Sequence, residues 1–228
     1  MEYSGWELEF FDTAKNYRKY QYNLLKNFIK KTILEVGPGN ATLMERYIYK
    51  NDLDIVLAEI NNDLFEKINN KFNTKDNIKV YNVKIDKIDK KFQTIMYLDV
   101  LEHIENHEDE ILKAYSKLEN NGYLILMVPA YQHLYSKYDQ EIGHYRRFNK
   151  KFFKEFSKKN KIKYKKLIYF DSIGYLFLLA NKILKLENKK NVSFGTKVWN
   201  SLIPISKILD KLLIHSFGKS ILCVYIKQ

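Results

Sequence analysis

The side chains best suited to chemistry in this chain fall into two groups. The first is Glu35-Val36-Gly37-Pro38-Gly39, in which an acid precedes two glycines spaced two apart. Glycines there let the backbone turn sharply and admit a ligand without a Cβ in the way. A second acid, Glu59, closes the apolar run 54–58, and a carboxylate at the tip of a second strand can take both hydroxyls of a ribose. Together they indicate an adenosine-containing cofactor. The second group is the segment 131–148, where Tyr131, His133, Tyr138, Asp139, His144, Tyr145, Arg146 and Arg147 crowd together. Such a density of titratable and hydrogen-bonding groups is what a substrate pocket requires. The chain has 35 lysines but four arginines, two of them adjacent at Arg146-Arg147. Guanidiniums chosen where lysine is the habit suit bidentate recognition of carboxylate or phosphate. The structural alternative is an internal ion pair of Asp139 with one arginine, with His144 capping the loop.

To bring these groups together the chain needs strands that deliver their ends to one edge. Ile33-Leu34-Glu35-Val36 reads as a buried strand entering the glycine turn, followed by strand candidates at 54–59, 77–86, 92–99 and 123–129 with helical patterns between them. That alternation is the signature of a parallel sheet with right-handed crossovers. Residues 149–158 read as a helix capped by Asn149, 162–170 as a sixth strand and 220–226 as the last. Residues 1–32, with Tyr17, Tyr20, Leu24, Leu25, Phe28 and Ile29 at helical spacing, predict a cover helix before the first strand. Residues 171–219 are too long for a simple hairpin and predict helices of their own over 173–186 and 203–214. These pack on the core, or else form a lid or an amphipathic face toward lipid or a partner subunit.

Composition narrows the classes. At 228 residues and 46% hydrophobic, one sizeable core is expected, in a single domain spanning 1–228. No stretch reads as a membrane span or a signal peptide, and the single Cys223 suggests a reducing, cytoplasmic setting, peripheral at the inner membrane face if the basic third meets lipid. The net charge of +12 is uneven, for residues 143–228 hold 20 Lys and Arg against 4 Asp and Glu. Such a block attracts phosphates, anionic lipid or acidic glycans, nucleic acid being the less favoured anion. A lysine-rich codon bias on solvated faces is the plain alternative.

The Glu35-x-Gly37-x-Gly39 turn resembles the first motif of the class I S-adenosylmethionine-dependent methyltransferases more than a dinucleotide fingerprint, which would need glycine where Thr42 stands. Leu98-Asp99-Val100-Leu101-Glu102-His103 resembles that family's fourth-strand segment, and the resemblance covers roughly residues 30–150. It implies a seven-stranded, mostly parallel, doubly wound α/β sheet with an antiparallel last strand. S-adenosylmethionine is the implied cofactor, with Glu35, Gly37 and Gly39 around its methionine part, Glu59 on the ribose, Asp86 on the adenine amine and Asp99 beside the sulfonium. Gly143-His144-Tyr145-Arg146-Arg147-Phe148 resembles a loop in members associated with glycan and polysaccharide assembly. The implied reaction is O-methylation of a sugar, on an anionic or phosphate-linked saccharide. A hydroxyl acceptor must lose a proton, and neutral histidine is the usual base. His144 is the first candidate and His133 the second, with Tyr131, Tyr138, Asp139, Tyr145, Arg146 and Arg147 as substrate contacts. His103 is read as a packed residue, and no metal site is implied. Methylation of a small metabolite or quinone, and noncatalytic binding of nucleic acid or a membrane surface, are the competing functions.

Overall fold

The computed structural model describes residues 8–184 and 192–228, so expectations on 1–7 and 185–191 lie outside the described residues. Seven strands, β1 (Thr32–Val36), β2 (Asp54–Ala58), β3 (Ile78–Tyr81), β4 (Phe92–Leu98), β5 (Leu118–Pro129), β6 (Lys163–Phe170) and β7 (Ser220–Ile226), form one sheet in the order β3-β2-β1-β4-β5-β7-β6. The first five pair in parallel, and β7 runs antiparallel to both its neighbours. This is the doubly wound sheet expected from the sequence. Helices on both faces explain why the inner strands are apolar at almost every position. In β7, Ile221, Cys223 and Tyr225 enter the core on one side while Leu222 and Val224 enter it on the other.

The helices are α1 (Leu8–Thr13), α2 (Lys15–Leu25), α3 (Asn62–Phe72), α4 (His107–Ser116), α5 (Lys137–Glu141), α6 (Lys150–Asn160), α7 (Ser172–Ile183) and α8 (Val192–Leu212). The N-terminal cover is therefore two helices rather than one, with Tyr17, Tyr20 and Leu25 of α2 buried. The Asn149 cap is formed, its Oδ1 accepting from Phe152 N at 2.9 Å. Strand β5 starts before the expected Tyr123. Asn120-Asn121-Gly122 forms a bulge inside it, with Asn121 at φ +62° and the register slipping opposite Phe92 and Thr94.

Two buried aspartates pin the α7–α8 insertion to the sheet. Asp210 accepts from Tyr20 Oη at 2.7 Å and from the backbone N–H of Asp171 and Ser172 at 2.6 and 2.9 Å. Asp171 accepts from Trp199 Nε1 at 2.8 Å and Ser206 Oγ at 3.0 Å. Buried carboxylates persist only where donors surround them in this way. Among the described residues, no helix is long and apolar enough to cross a membrane.

Candidate active site

Strand order reverses between β1 and β4, and in an open α/β sheet the crevice beyond the strand ends at that point is where ligands bind. A cavity of about 1610 Å³ opens there. Single-ligand pockets run to ~1,000 Å³, so this one has room for a cofactor and an acceptor together. Of the residues expected in the site, Glu35, Gly37, Gly39, Glu59, Asp99, Tyr138, His144 and Arg147 line it.

One end of the cavity is built by the turn after β1. Gly37 and Gly39 sit at φ +63° and +57°, where a side chain is strained, and a Cβ on Gly37 would lie 2.9 Å from Val100 Cγ2. Glu59, one residue past β2, holds the turn by accepting from Gly39 N at 3.2 Å and Asn61 N at 2.9 Å. Burial raises its carboxyl's pKa, partly offset by those backbone N–H groups. Glu35 is 3% exposed, and its Oε2 has no hydrogen-bond partner. Burial pushes it up to about 8, with Arg18 pulling down and Glu59 pushing further up. An orphaned acid beside an open glycine turn fits a cationic ligand, as the methionine end of S-adenosylmethionine is.

The other end comes from the turn after β4 and from the segment 131–148. That segment is closed at its base by Tyr131 N donating to Phe148 O (2.7 Å) and Phe148 N to Pro129 O (2.9 Å). Inside it, Asp139 is fully buried and caps α5 through Ser136 N and Oγ. It also accepts two bonds from Arg147, Nε at 2.9 Å and Nη2 at 3.0 Å, and one from His144 Nδ1 at 2.7 Å. Burial alone would raise the Asp139 carboxyl, but His144 and Arg147 outweigh it and hold it below the usual range. The internal ion pair foreseen as the structural alternative is thus present for Arg147, which still lines the cavity. With Nδ1 engaged, His144 turns Nε2 toward Glu102, 3.7 Å from its Oε1. Glu102 is raised well above the carboxylate range by burial and by the charge of Asp99. His103 stacks edge-on against His144 at 4.6 Å, and burial pushes its imidazole down to about 3.

Six expected site residues fall outside the cavity wall. Strand β3 stops at Tyr81, and a 3-10 turn at Ile85–Lys87 buries Ile85 and Ile88, which turns Asp86 outward into a shallow recess with Glu105 and Lys113. Val83, Lys84 and Ile85 line the cavity instead. Arg146 donates to Ile104 O at 2.6 Å and meets His107 Nδ1 at 2.8 Å, so it ties the loop to the segment after β4. Tyr131 stacks on Tyr169 at 4.7 Å, and His133 is exposed, its Nε2 3.3 Å from Tyr175 Oη. Tyr145 is 54% exposed, and Asp139 stands behind His144 as its support. Among the lining residues that went unforeseen are Arg18, whose buried Nε lacks a partner, Glu102, Trp199 and Lys219. The Lys219 ammonium lies 3.5 Å from the Trp199 ring centre, and burial brings it down to about 8. The scarcity of arginine, used to single out Arg146 and Arg147, marks Arg18 equally.

Comparisons agree with this geometry. Among solved structures, this chain is similar to a putative sarcosine dimethylglycine methyltransferase from Galdieria sulphuraria, at 13% identity and a TM-score of 0.60 over 95% of this chain and 85% of that one. It is similar to the N-methyltransferase NodS of Bradyrhizobium japonicum WM9 in complex with S-adenosyl-L-homocysteine, at 9% identity and 0.59 over 93% and 86%. Phosphoethanolamine N-methyltransferase 2 of Haemonchus contortus in complex with S-adenosyl-L-methionine matches at 12% identity and 0.62 over 92% of this chain and 52% of that one. No curated protein sequence matches. The family model described as a methyltransferase domain matches residues 9–160, and the chain belongs to that family as a class I, S-adenosylmethionine-dependent methyltransferase.

Proposed function

We propose that this enzyme methylates a hydroxyl of a saccharide, carried on a phosphate-linked lipid and met at a membrane surface. The observation that carries the reading is the Asp139–His144 pair, which opens into the same cavity as the Glu35–Gly39 turn. S-adenosylmethionine, bound at that turn, supplies an electrophilic methyl group. His144 Nε2 is the group that takes the acceptor's proton, with Nδ1 kept protonated and oriented by Asp139. Arg147 and Ser136 immobilise Asp139, so that positioning, the main source of rate in such a displacement, is set before the acceptor arrives.

Two further observations support the acceptor class. Ser136, Tyr138 and Glu141 line the acceptor end beside His144, a polar set suited to a molecule with several hydroxyls. Phe177, Leu178 and Phe194 line the cavity from the insertion, which suits a lipid chain emerging from it. The outer face of α8 carries Ile205, Ile208 and Leu212, each more than half exposed, with Lys211 beside them. An apolar stripe flanked by lysine fits the surface of an anionic membrane. Because Arg146 and Arg147 are engaged within the protein, and Lys219 is held by Asp171 at 3.8 Å, a phosphate on the acceptor falls to Lys84 and Lys137.

Methyl-labelled donor, incubated with lipid-linked saccharides extracted from membranes and with the same saccharides freed from lipid, tests both points. Label in the sugar of the lipid-linked pool is expected. Label confined to amines or to small soluble metabolites would overturn the proposal.

A further inference from the structure

Glu102, His103 and His144 converge at the acceptor end, and methyl transfer by a lone His144 base leaves the first two without a task. Glu102 is 1% exposed, and its Oε2 has no hydrogen-bond partner although the residue lines the cavity. One donor atom from each of the three residues lies within 4.8 Å of the others, with Glu102 Oε1 and His144 Nε2 at 3.7 Å. Both imidazoles are held from behind. His144 Nδ1 donates to Asp139, which Arg147 grips with two hydrogen bonds, and the His103 ring is hydrogen-bonded to the Gly143 backbone. A histidine whose far nitrogen donates to a carboxylate or carbonyl is the usual support of a metal ligand, since it fixes the tautomer and the ring plane. An orphaned carboxylate buried against two such rings lacks one thing, a cation.

We infer that Glu102, His103 and His144 bind a divalent first-row transition-metal ion. Two imidazoles and one carboxylate suit the borderline ions Mn²⁺ to Zn²⁺ rather than Mg²⁺ or Ca²⁺, which take oxygen ligands. Ligand atoms at ~2.1 Å from an ion stand at most ~4.2 Å apart, a span that the 3.7 Å between Glu102 Oε1 and His144 Nε2 already meets. Three protein ligands leave positions open toward the cavity. The inference rests on the hydroxyl-methylation reading and changes the role of one residue in it. With the ion bound, His144 is a ligand, and the acceptor hydroxyl coordinates the ion and loses its proton to solvent water. The alkoxide oxygen then bonds to the methyl carbon as the carbon–sulfur bond breaks with its electron pair left on sulfur. Without the ion, the Asp139–His144 pair acts alone.

The full-length protein, stripped with chelator and dialysed, is titrated with Co²⁺ and followed by its visible d–d absorption. One equivalent is expected to bind, Zn²⁺ to displace it, and Glu102→Gln and His103→Gln each to weaken binding by ~10-fold or more. His215→Asn, outside the cluster, serves as the binding control. Thermal melts and donor binding establish that each variant is folded. Absence of a saturable Co²⁺ signal that Zn²⁺ displaces, or unchanged affinity in both folded cluster variants, overturns the inference. Full turnover in excess chelator does the same while leaving hydroxyl methylation by the histidine–aspartate pair intact. A protein that binds the ion but methylates no hydroxyl refutes the acceptor reading instead.

Discussion

Binding of the donor beside Glu35 should release a proton. The Glu35 carboxyl, raised to about 8 by burial, is mostly protonated in the free enzyme at neutral pH. From the titration relation, roughly 0.9 of the sites carry the proton at pH 7. A cationic centre of the donor at ~5 Å interacts with the carboxylate by ~3 kcal/mol at an effective dielectric of ~20, which lowers the acid by about 2 pKa units. The ionised form then dominates at pH 7, with about a tenth of the sites still protonated, so binding should release ~0.8 proton from this site. Calorimetric titration of the donor in buffers of differing ionisation enthalpy reads the proton count from the slope of observed heat against buffer heat. Lys219, brought down to about 8, also releases protons if the cation nears it, so the decisive comparison is with Glu35→Gln. That variant should lose most of the slope, and uncharged adenosine should produce little with the wild type. A flat slope for the wild type with a clear binding heat, or a slope unaltered in Glu35→Gln, would refute the reasoning. The same shift sets a stability trend. An acid raised on folding stabilises fully below its unfolded value near ~4.5, and that contribution is lost as pH rises through about 8. Relative to the wild type, ligand-free Glu35→Gln should therefore gain melting temperature between those values.

Four other perturbations separate the roles. His144→Ala should lower kcat by ~100-fold or more while donor affinity by fluorescence titration changes less than about twofold. Arg147→Ala leaves Asp139 buried with only His144 and Ser136 as side-chain partners, a loss of ~3 kcal/mol that should lower the calorimetric Tm by about 6–12 °C in a domain of this size. Arg147→Lys, without the planar fork, should recover part of that. Asp86→Ala should leave donor affinity unchanged in calorimetry, since its side chain faces the outer recess, and a tenfold loss would restore it to the adenine site. Gly37→Ala should cost ~1–2 kcal/mol in chemical denaturation and weaken donor binding, and adding Val100→Ala should relieve the contact but not the strain of φ +63°.

What could be read from the sequence was what local pattern decides. The order of strands, the glycine turn, the Asn149 cap and the last strand Ser220–Ile226 all follow from spacing and residue type within a few positions. The departures have a common origin in packing. Asp86 follows an apolar run and reads as a strand-end acid, but Ile85 and Ile88 compete for the core and rotate it outward. Arg146 and Arg147 look like an anion clamp because their rarity signals purpose, and both are also bonded internally, holding the loop by Ile104 O and Asp139, with Arg147 still on the cavity wall. Arg18, Glu102, Trp199 and Lys219 reach the cavity from α2, from the turn after β4, from α8 and from just before β7. No window along the chain contains more than one of them, so periodicity had nothing to register.

The insertion shows why an apolar outer face is compatible with a well-fixed site. The faces of α8 divide cleanly, for Trp199, Ile203, Ser206 and Asp210 recur at helical spacing and are buried, while Ile205, Ile208 and Leu212 recur on the opposite side and are exposed. Anchoring by hydrophobic burial alone would leave the helix free to roll, since either face could serve. The directed bonds from Tyr20 Oη, Trp199 Nε1 and the Asp171 and Ser172 backbone to two buried carboxylates distinguish the faces, because rolling would strand both acids. Trp199 is also the ring against which Lys219 packs within the cavity, so the bonds that orient the outer stripe also set one wall of the site. Replacing Asp210 by Asn keeps the side chain's size while weakening its grip on Tyr20 and α7. It should loosen α8 and blunt vesicle binding and turnover together, whereas Ile208→Ser should reduce vesicle binding and spare turnover on a lipid-free acceptor. If the two activities respond independently in Asp210→Asn, the helix does not couple them.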